Sequence, residues 1–155
     1  MRVKDVMTQH PVCCRTSDSA QSVARALRGE DVGCLPVIAD GDSRRLVGII
    51  TDRDLCCNII AEGLDPATTA IEIVMKRNPV SCRAEQSLDA CEKLMQIHQV
   101  RRVPVLDRQG CCVGMVSQAD LASVEQAEKV HRTVAEISKP ARAIILATAI
   151  VQRAS

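Results

Sequence analysis

Two places in the chain combine a hydroxyl side chain with a carboxylate three residues later, directly after an apolar run. Thr51 precedes Asp54 in the segment GIITDRD, and Ser117 precedes Asp120 in GMVSQAD. A hydroxyl at a helix start lies beside free backbone N–H groups, which favour an anion such as phosphate. The two acceptor oxygens of a carboxylate suit the neighbouring hydroxyls of a ribose. The spacing therefore indicates either binding of a phosphorylated sugar or a helix capping box, which needs no ligand.

Two adjacent arginines form a second set of residues that suits a phosphate. Arg101 and Arg102 immediately precede the apolar segment 103–105. A guanidinium group carries a fixed fork of donors that matches phosphate oxygens. A solvated or dimer-facing patch of charge is the alternative interpretation of this pair.

The chain contains one sequence pattern twice, and each copy carries one of the hydroxyl–carboxylate pairs. Residues 6–14 (VMTQHPVCC) align with residues 74–82 (VMKRNPVSC), with five of nine positions identical. After a two-residue excess in the first copy, residues 47–55 (VGIITDRDL) align with residues 113–121 (VGMVSQADL), with four identities. Matching blocks in the same order indicate a duplication. Because the pattern is long and occurs only twice, we expect two halves related by a pseudo-twofold axis rather than a solenoid.

Each copy predicts the element order strand, helix, strand, strand, helix. Apolar residues at helical spacing, with serine caps before them and Gly29 after them, predict the first helix. A helix also follows the last strand of each copy, from Thr51 to about Glu62 and from Ser117 onward. The predicted strands are 11–14, 35–38 and 46–50 in the first copy and 79–82, 103–106 and 112–116 in the second. Continuous apolar strands beside amphipathic helices imply an α/β fold with sheets covered by helices.

The paired DVMT…PV, LPV and GIITDRDL blocks resemble a tandem cystathionine-β-synthase (CBS) domain pair, also called a Bateman module. The resemblance covers about residues 3–125. It implies two pseudo-symmetric β-α-β-β-α repeats packed sheet to sheet, with two related clefts that commonly bind adenosine-containing ligands. Members of the family usually sense such ligands rather than transform them. We assign residues 1–62 and 72–130 to the two repeats, residues 63–71 to a linker and residues 131–155 to a helical C-terminal tail.

The resemblance also implies which residues contact a ligand, with Asp54 and Asp120 as ribose binders. In the first copy, Gly33 and Cys34 stand where the second copy has its arginine pair, so we expect the two clefts to differ. The main cleft, expected to bind a phosphorylated adenosine, comprises Ser117, Asp120, Arg101, Arg102, Thr8, His10, Pro11 and Val12. The second cleft, expected to bind a less charged ligand or to stay empty, comprises Thr51, Asp54, Lys76, Asn78, Pro79 and Val80.

Composition excludes several classes of function. The 155 residues include no Phe, Tyr or Trp, which excludes base stacking on aromatic rings and aromatic cages for quaternary ammonium groups. A planar ligand must therefore lie between aliphatic side chains and backbone. The formal charge of +1 argues against a nucleic-acid partner. No membrane partner is expected either, because no apolar run reaches the roughly 18 residues of a membrane span and the Ala/Ile-rich tail lacks a strongly charged opposite face.

The cysteines indicate packing rather than disulfides or metal binding. Six of the nine are in adjacent pairs, which is not the pattern of a disulfide framework, and the first residues lack a signal-peptide apolar run. We therefore expect a reduced, cytoplasmic chain in which Cys14, Cys82 and Cys91 pack as small apolar residues. Because no Cys-x-x-Cys, paired-histidine, nucleophile-elbow or phosphate-loop motif occurs, no metal site, required cofactor or catalytic residue is predicted.

The resulting expectation is a stand-alone regulatory module, not an enzyme, that forms a homodimer and binds AMP, ADP, ATP or S-adenosylmethionine between its repeats. Its ligand would change its shape or its affinity for a partner protein that the sequence does not identify. The alternative is a dimerisation or protein-interaction module with vestigial clefts, which works through its tail or through thiol chemistry. An enzyme acting on a nucleotide is the third alternative. For the Ala/Ile-rich segment 141–151 we expect a helix that covers the module's own core or its dimer contact.

Overall fold

The computed structural model describes residues 1–41 and 43–140 of the chain. Within these residues the α-helices are α1 (Ala20–Gly29), α2 (Asp52–Leu55), α3 (Leu88–His98), α4 (Gln118–Val124) and α5 (Ala127–Ile137). The strands are β1 (Thr8–Gln9), β2 (Cys14–Arg15), β3 (Cys34–Ile38), β4 (Leu46–Thr51), β5 (Lys76–Arg77), β6 (Cys82–Arg83), β7 (Arg102–Leu106) and β8 (Cys112–Ser117). Single 3-10 turns, Val3–Asp5 and Ile71–Ile73, precede β1 and β5.

The first helix of each repeat begins at a serine cap. The Ser19 hydroxyl accepts a hydrogen bond from the Ser22 N–H at 3.2 Å, and the Ser87 hydroxyl accepts one from the Ala90 N–H at 3.2 Å. These bonds satisfy backbone donors that the first turn leaves unpaired. α1 also ends at Gly29, as the sequence predicts.

The helix that follows β4 is shorter than predicted and changes its geometry. The α-helical part, α2, passes directly into a π-helical turn, Cys56–Ile60. There the Cys56 carbonyl accepts a hydrogen bond from the Ala61 N–H at 3.0 Å, which is the i to i+5 spacing of a π-helix. The turn leaves Ile59 buried in the core and Ile60 exposed.

The strands form two four-stranded sheets, and each sheet includes a short strand from the other repeat. One sheet has the order β1-β8-β7-β6, and the other has the order β2-β3-β4-β5. β3 pairs antiparallel with β4 and β7 with β8, whereas β2 and β6 lie parallel to β3 and β7. This arrangement confirms the predicted fold class, a mixed α/β fold with two pseudo-symmetric repeats.

The exchanged strands β1 and β5 are the main departure from the predicted elements. The sequence predicts one strand beginning at each of Pro11 and Pro79, but only the short β2 and β6 form there. A proline has no N–H to donate to a sheet. His10 precedes Pro11 and Asn78 precedes Pro79. Both residues have left-handed backbones, with φ of 49° and 50°, so the chain turns at these points. β1 and β5 lie before the turns and pair antiparallel with β8 and β4 of the opposite repeat.

Gly48 and Gly114, at equivalent positions of β4 and β8, accommodate the exchanged strands. A Cβ atom on Gly48 would lie 2.9 Å from the Lys76 carbonyl oxygen, and one on Gly114 would lie 3.2 Å from the Thr8 carbonyl oxygen. A side chain at either position would therefore push the crossing strand away. This close approach explains why both copies of the pattern carry a glycine here.

Each repeat has its own apolar core, and each core is completed by the segment that precedes the crossing strand. Ile71 and Met75, from the start of the second copy, are buried in the core of the first repeat. Val3, from the start of the first copy, is fully buried in the core of the second repeat. The cysteines predicted to pack as apolar residues are buried in these two cores: Cys14, Cys82 and Cys91.

α5 packs on the second repeat, where an ion-pair cluster fastens it. Lys129 Nζ lies 2.5 Å from Asp89, 3.0 Å from Glu92 and 2.7 Å from Glu125. Glu92 is buried, and the Thr133 hydroxyl donates a hydrogen bond to it. Burial alone would lower the pKa of Lys129, but its hydrogen bonds to the carboxylates outweigh that effect and raise the pKa. The charge of Lys129 therefore compensates the buried carboxylate of Glu92.

The C-terminal tail is described as far as Pro140. Its beginning belongs to α5, whereas the segment 141–151, predicted to be helical, lies outside the described residues. In the described part of the chain, no helix has the length and apolar character needed to cross a membrane.

Candidate functional site

Both hydroxyl–carboxylate pairs form a helix capping box. The Ser117 hydroxyl accepts a hydrogen bond from the Asp120 N–H at 3.3 Å and donates one to Asp120 Oδ2 at 2.7 Å. The Ser117 N–H also donates to Asp120 Oδ2, at 2.7 Å. Thr51 and Asp54 make the same three contacts at the start of α2. The capping interpretation therefore holds at both junctions, and ligand contact depends on the carboxylate oxygen that the box leaves out.

The second carboxylate oxygen distinguishes the two junctions. Asp120 Oδ1 has no hydrogen-bond or ion-pair partner among the described residues. Asp54 Oδ1 lies 3.4 Å from Lys76 Nζ, and the Asp54 side chain is only 8% exposed. In the repeat alignment the counterpart of Lys76 is Thr8, which carries no charge. One junction thus offers a free acceptor oxygen, and the other has already paired it with a lysine.

A cavity of about 290 Å³ lies between the two repeats beside Asp120. Ligand pockets commonly occupy about 300 to 1,000 Å³, so this cavity has the size of a small ligand site. Six of the eight residues predicted for the main cleft line it: Thr8, Pro11, Val12, Arg102, Ser117 and Asp120.

The other two residues predicted for the main cleft lie next to this cavity rather than in its wall. Arg101 lines an adjoining cavity of about 280 Å³, which shares Arg102 and Ser117 with the first. His10 is exposed at the turn after β1, where its N–H donates to the Val113 carbonyl at 3.0 Å. A ligand that extends from the first cavity into the second would meet Arg101.

One wall of the cavity was missed by sequence analysis. It is formed by the end of α1, the start of β3 and one residue of β8: Glu30, Asp31, Val32, Cys34, Leu35, Pro36 and Met115. The repeat alignment contained a signal for this wall. Cys34 is the counterpart of Arg102, and equivalent residues near a pseudo-twofold axis approach each other.

Gly33 lies next to the arginine that lines the cavity. A Cβ atom on Gly33 would lie 3.5 Å from Arg102 Nη1 and 3.3 Å from Asp52 Oδ2. Burial raises the pKa of the neighbouring Cys34 thiol, although Arg102 acts in the opposite direction. Cys34 is therefore a neutral thiol, and Arg102 is the cationic side chain in the described lining. Positions 33 and 34, whose lack of side-chain charge led us to expect that the two clefts differ, thus lie next to the guanidinium of the second repeat.

The residues predicted for the second cleft gather around β5 and α2. Lys76 and Thr51 both contact Asp54, through the ion pair and the capping box respectively. Asn78 lies at the turn after β5, and its N–H donates to the Val47 carbonyl at 3.4 Å. The remaining two predicted residues are half-buried: Pro79 and Val80.

One group of acidic side chains in the described part of the chain has the spacing of metal ligands. Asp89, Glu92 and Glu125 have carboxylate oxygens within 4.8 Å of one another. Lys129 Nζ lies among them and pairs with all three. A cation of the protein itself thus lies among the three carboxylates, and the cluster holds α5 against α3 and α4.

The two sheets with exchanged strands and the capped junctions after β4 and β8 define a pair of repeats of one known domain. The family model of the CBS domain matches residues 3–60 and, a second time, residues 70–126. The chain belongs to the CBS domain family.

Relatives of known structure share this architecture. Hypoxic response protein 1 of Mycobacterium tuberculosis (strain ATCC 25618 / H37Rv) is 34% identical over 119 residues, which cover 77% of this chain and 81% of that protein. A crystal structure of Hypoxic Response Protein I with two coordinated zinc ions matches with a TM-score of 0.73 at 32% identity, covering 81% of this chain and 100% of that one. The CBS domain pair of protein MJ0100, in complex with 5′-methylthioadenosine and S-adenosyl-L-methionine, matches with a TM-score of 0.70 at 26% identity, covering 80% of this chain and 98% of that one.

Proposed function

We propose that this chain is a regulatory module that binds an adenosine-containing ligand in the cavity between its repeats. The observation that carries the proposal is the unpartnered Oδ1 of Asp120, at a cavity that Arg102 also lines. A free carboxylate oxygen accepts hydrogen bonds from ribose hydroxyls, and a guanidinium suits a phosphate. The complex of the MJ0100 domain pair with two adenosine-containing ligands supports the same class of ligand.

The chemistry of the cavity wall favours one orientation of the ligand. In our proposal the ribose contacts Asp120 and the phosphate lies near Arg102 and the Ser117 hydroxyl, with Arg101 available in the adjoining cavity. Because the chain has no aromatic ring, the adenine must be held by aliphatic packing and backbone groups. The apolar lining that would receive it comprises Pro11, Val12, Leu35, Pro36 and Met115.

Among AMP, ADP, ATP and S-adenosylmethionine, we rank AMP first. The cavity of about 290 Å³ is near the lower limit of ligand pockets, about 300 Å³, which favours the smallest of the nucleotides. Arg102 favours a phosphate over the positively charged sulfonium of S-adenosylmethionine. The additional phosphates of ADP and ATP would extend toward Arg101.

A ligand in this cavity would regulate by joining the two repeats. Thr8, Pro11 and Val12 come from the first repeat, whereas Arg102 and Asp120 come from the second. A ligand that contacts both stabilises the arrangement in which they are close, and it shifts the conformational equilibrium by its difference in affinity for the two states. The role is therefore sensing rather than catalysis. The second cleft would bind a less charged ligand or stay empty, because Lys76 already neutralises Asp54.

The organisation that we propose is two repeats, residues 1–62 and 72–130, a linker at 63–71 and a tail at 131–155, in a chain that forms a homodimer in the reducing cytoplasm. Ile97 is 74% exposed and Ile60 is 69% exposed, and we propose that the dimer contact covers apolar side chains of this kind.

A thermal-shift screen tests the proposed function. We expect AMP to raise the melting temperature most, since a ligand that binds only the native state adds about 2.7 kcal/mol of stability at a concentration 100 times its Kd. NAD, which also contains adenosine, belongs to the same screen, and inorganic phosphate serves as the control. If no adenosine-containing ligand stabilises the protein, and thiol reagents change its size on a column, the interaction-module alternative is correct. Turnover of a nucleotide would instead favour the enzyme alternative.

A further inference from the structure

Cys13 lies directly after the Pro11–Val12 wall of the cavity and beside an arginine. Arg44 Nη2 donates hydrogen bonds to Cys13 Sγ at 3.2 Å and to the Pro11 carbonyl at 3.0 Å. Arg44 Nε also donates to the Cys112 carbonyl at 3.1 Å. One side chain thus holds the end of the cavity wall, a half-buried thiol and the start of β8 together.

Cys112 comes from the other repeat, and the Arg44 guanidinium contacts both the Cys112 carbonyl oxygen and Cys13 Sγ. The backbone explains the approach. β1 pairs antiparallel with β8 at Gln9 and Gly114, and the following His10 N–H donates to the Val113 carbonyl at 3.0 Å. After the turn at His10, Arg44 links the Pro11 carbonyl to the Cys112 carbonyl.

The surroundings of Cys13 favour a thiolate. The neighbouring Cys112 thiol and the charge and hydrogen bond of Arg44 outweigh burial and lower the pKa of Cys13 to about 7. The neighbouring Cys13 and burial raise the pKa of Cys112, which therefore keeps its proton; its thiol donates to the Gly114 carbonyl at 3.6 Å. By contrast, burial raises the pKa of the adjacent Cys14 to about 12. Since the thiolate is the nucleophile in sulfur chemistry, the reactive member of this doublet is Cys13.

This arrangement occurs at one end of the molecule only. In the repeat alignment the counterpart of Cys13 is Ser81, and the counterpart of Cys112 is Leu46. The sulfurs of Cys82 and Cys91 lie 3.7 Å apart, but both residues are buried in the second core. The Cys13 pair is therefore distinct in combining partial exposure, a cation and a second thiol.

We propose that Cys13 and Cys112 form an oxidisable dithiol, which a hydroperoxide converts into a disulfide that joins the two repeats at the edge of the cavity. The Cys13 thiolate attacks one oxygen of hydrogen peroxide, the O–O bond breaks, and the departing hydroxide takes up a proton to become water. Cys13 is then a sulfenic acid, oxidised by two electrons, and the peroxide is reduced. The Cys112 sulfur attacks the Cys13 sulfur, an S–S bond forms, and the S–O bond breaks. The oxygen leaves with the Cys112 proton as a second water.

The disulfide would tie one wall of the cavity to another. Residues 11–13 would be fixed to β8, which carries Met115 and Ser117 of the same cavity. The pair therefore provides a redox input at the place where the proposed ligand would join the repeats. The disulfide itself requires no nucleotide, so it is tested without one, and its failure is distinguishable from failure of the proposed function.

Peptide mapping of the oxidised full-length chain tests the pair. We expect one equivalent of hydrogen peroxide to consume two of the nine thiols and to give one cross-linked peptide pair that joins residues 13 and 112. Cys13→Ser and Cys112→Ser should abolish the cross-link. The neighbours Cys14→Ser and Cys111→Ser, which change the same proteolytic peptides, should retain it. A cross-link that survives in Cys13→Ser, or a disulfide between the exposed Cys56 and Cys57 as the only product, would overturn the proposal.

The pH dependence and the arginine provide a second readout on folded protein. The oxidation rate should rise with pH and reach half of its maximum near 7, the value to which the pKa of Cys13 is lowered. Arg44→Gln should slow oxidation about threefold or more at neutral pH, because it removes a charge that lowers the thiol pKa. Arg45→Gln, at an exposed position next to it, is the matched control and should leave the rate unchanged. Equal rates in the two variants would contradict a role for Arg44.

Discussion

The strand–helix junctions of the two repeats have the same backbone and the same capping box, but they differ in what faces the outer carboxylate oxygen. At Asp54 that oxygen pairs with Lys76 of the crossing strand. At Asp120 the equivalent position of the crossing strand is Thr8, and the oxygen has no partner among the described residues. A single residue type in β1 or β5 therefore decides whether the carboxylate of a junction is available.

This comparison shows how a structural and a binding role coexist in one side chain. The capping box uses Oδ2 of Asp120 for the Ser117 N–H and hydroxyl. Oδ1 remains for a ligand. The sequence motif is thus equally strong at both junctions, and the difference in availability comes from a residue far away in the chain.

Removing each of the two carboxylates separately should have the largest effect on AMP affinity, and the two losses should be the most unequal. We expect Asp120→Ala to weaken AMP binding about 50-fold, because hydrogen bonds to a charged group contribute about 1.5 to 3 kcal/mol. Asp54→Ala should weaken AMP binding less than about threefold. Both variants lose the same kind of helix cap, which lowers the stability of the fold by about 1 kcal/mol. Isothermal titration calorimetry suits a chain without tryptophan. Equal losses in the two variants would remove the asymmetry.

Neutralising Arg102 should have the next largest effect and should act on the phosphate alone. We expect Arg102→Gln to weaken AMP about tenfold, through loss of a charge-assisted hydrogen bond, and to leave adenosine binding unchanged. Arg101→Gln is the matched control, with an expected loss of about threefold or less because that side chain lines only the adjoining cavity. The comparison of AMP with adenosine by calorimetry checks this. A parallel loss for both ligands would mean that Arg102 supports the fold rather than the phosphate.

Exchange of the crossing-strand residues should make the junctions alike. Thr8→Lys would place an ammonium group near Asp120, as Lys76 is near Asp54, and we expect AMP affinity to fall about fivefold, or about 1 kcal/mol, the upper range of a partly exposed ion pair. Lys76→Thr would free Asp54 and should leave the affinity of the main site unchanged. The stoichiometry and affinity from calorimetry report both effects. Unaltered binding in Thr8→Lys would show that the charge at this position does not control the junction.

Substitutions in α5 should have the smallest effect on AMP binding. Their effect should instead be on the stability of the second repeat, on which α5 packs. The counterpart of the buried Glu92 is the exposed Ala24, so only the second repeat holds a buried acid at this position. We expect Lys129→Met to lower the free energy of unfolding by about 1 kcal/mol by leaving Glu92 uncompensated, with AMP affinity unchanged. Lys139→Met, which removes an exposed pair, should change stability by less than about 0.5 kcal/mol. Urea unfolding measures both, and equal values would mean that the cluster does not secure α5.

The repeats, the longer strands and the capped junctions were predictable because each depends on local sequence. The apolar runs before Thr51 and Ser117 specify strands, and the hydroxyl–carboxylate spacing specifies the helix starts. The crossing strands were not predictable in this way. β1 and β5 are two residues long and exposed, so they show no apolar periodicity, and their partners are distant in sequence.

In the candidate site, too, the features set by local sequence were predictable, and those set by contacts between distant residues were not. Positions 11 and 12 and the Ser117–Asp120 pair were found because they repeat. The contact of Lys76 with Asp54, and the wall from Glu30 to Pro36, depend on how the two repeats meet. Pairwise distances across a pseudo-twofold axis are set by packing, and one sequence gives no direct measure of them. Cys13 and Cys112 are a further example, since both looked like ordinary members of cysteine doublets.

The exchange of β1 and β5 has a consequence for the folding of this chain. Val3 completes the core of the second repeat, and Ile71 and Met75 complete the core of the first, so neither repeat is whole when separated from the other. A protein with a single repeat of this topology would complete its sheet and core only by exchanging its first strand with a second copy. In this chain the exchange takes place within one molecule, so the pairing of the two repeats requires no second copy. A chain cleaved within residues 63–69 should therefore still unfold as one cooperative unit, because each half contributes one strand to the sheet of the other half.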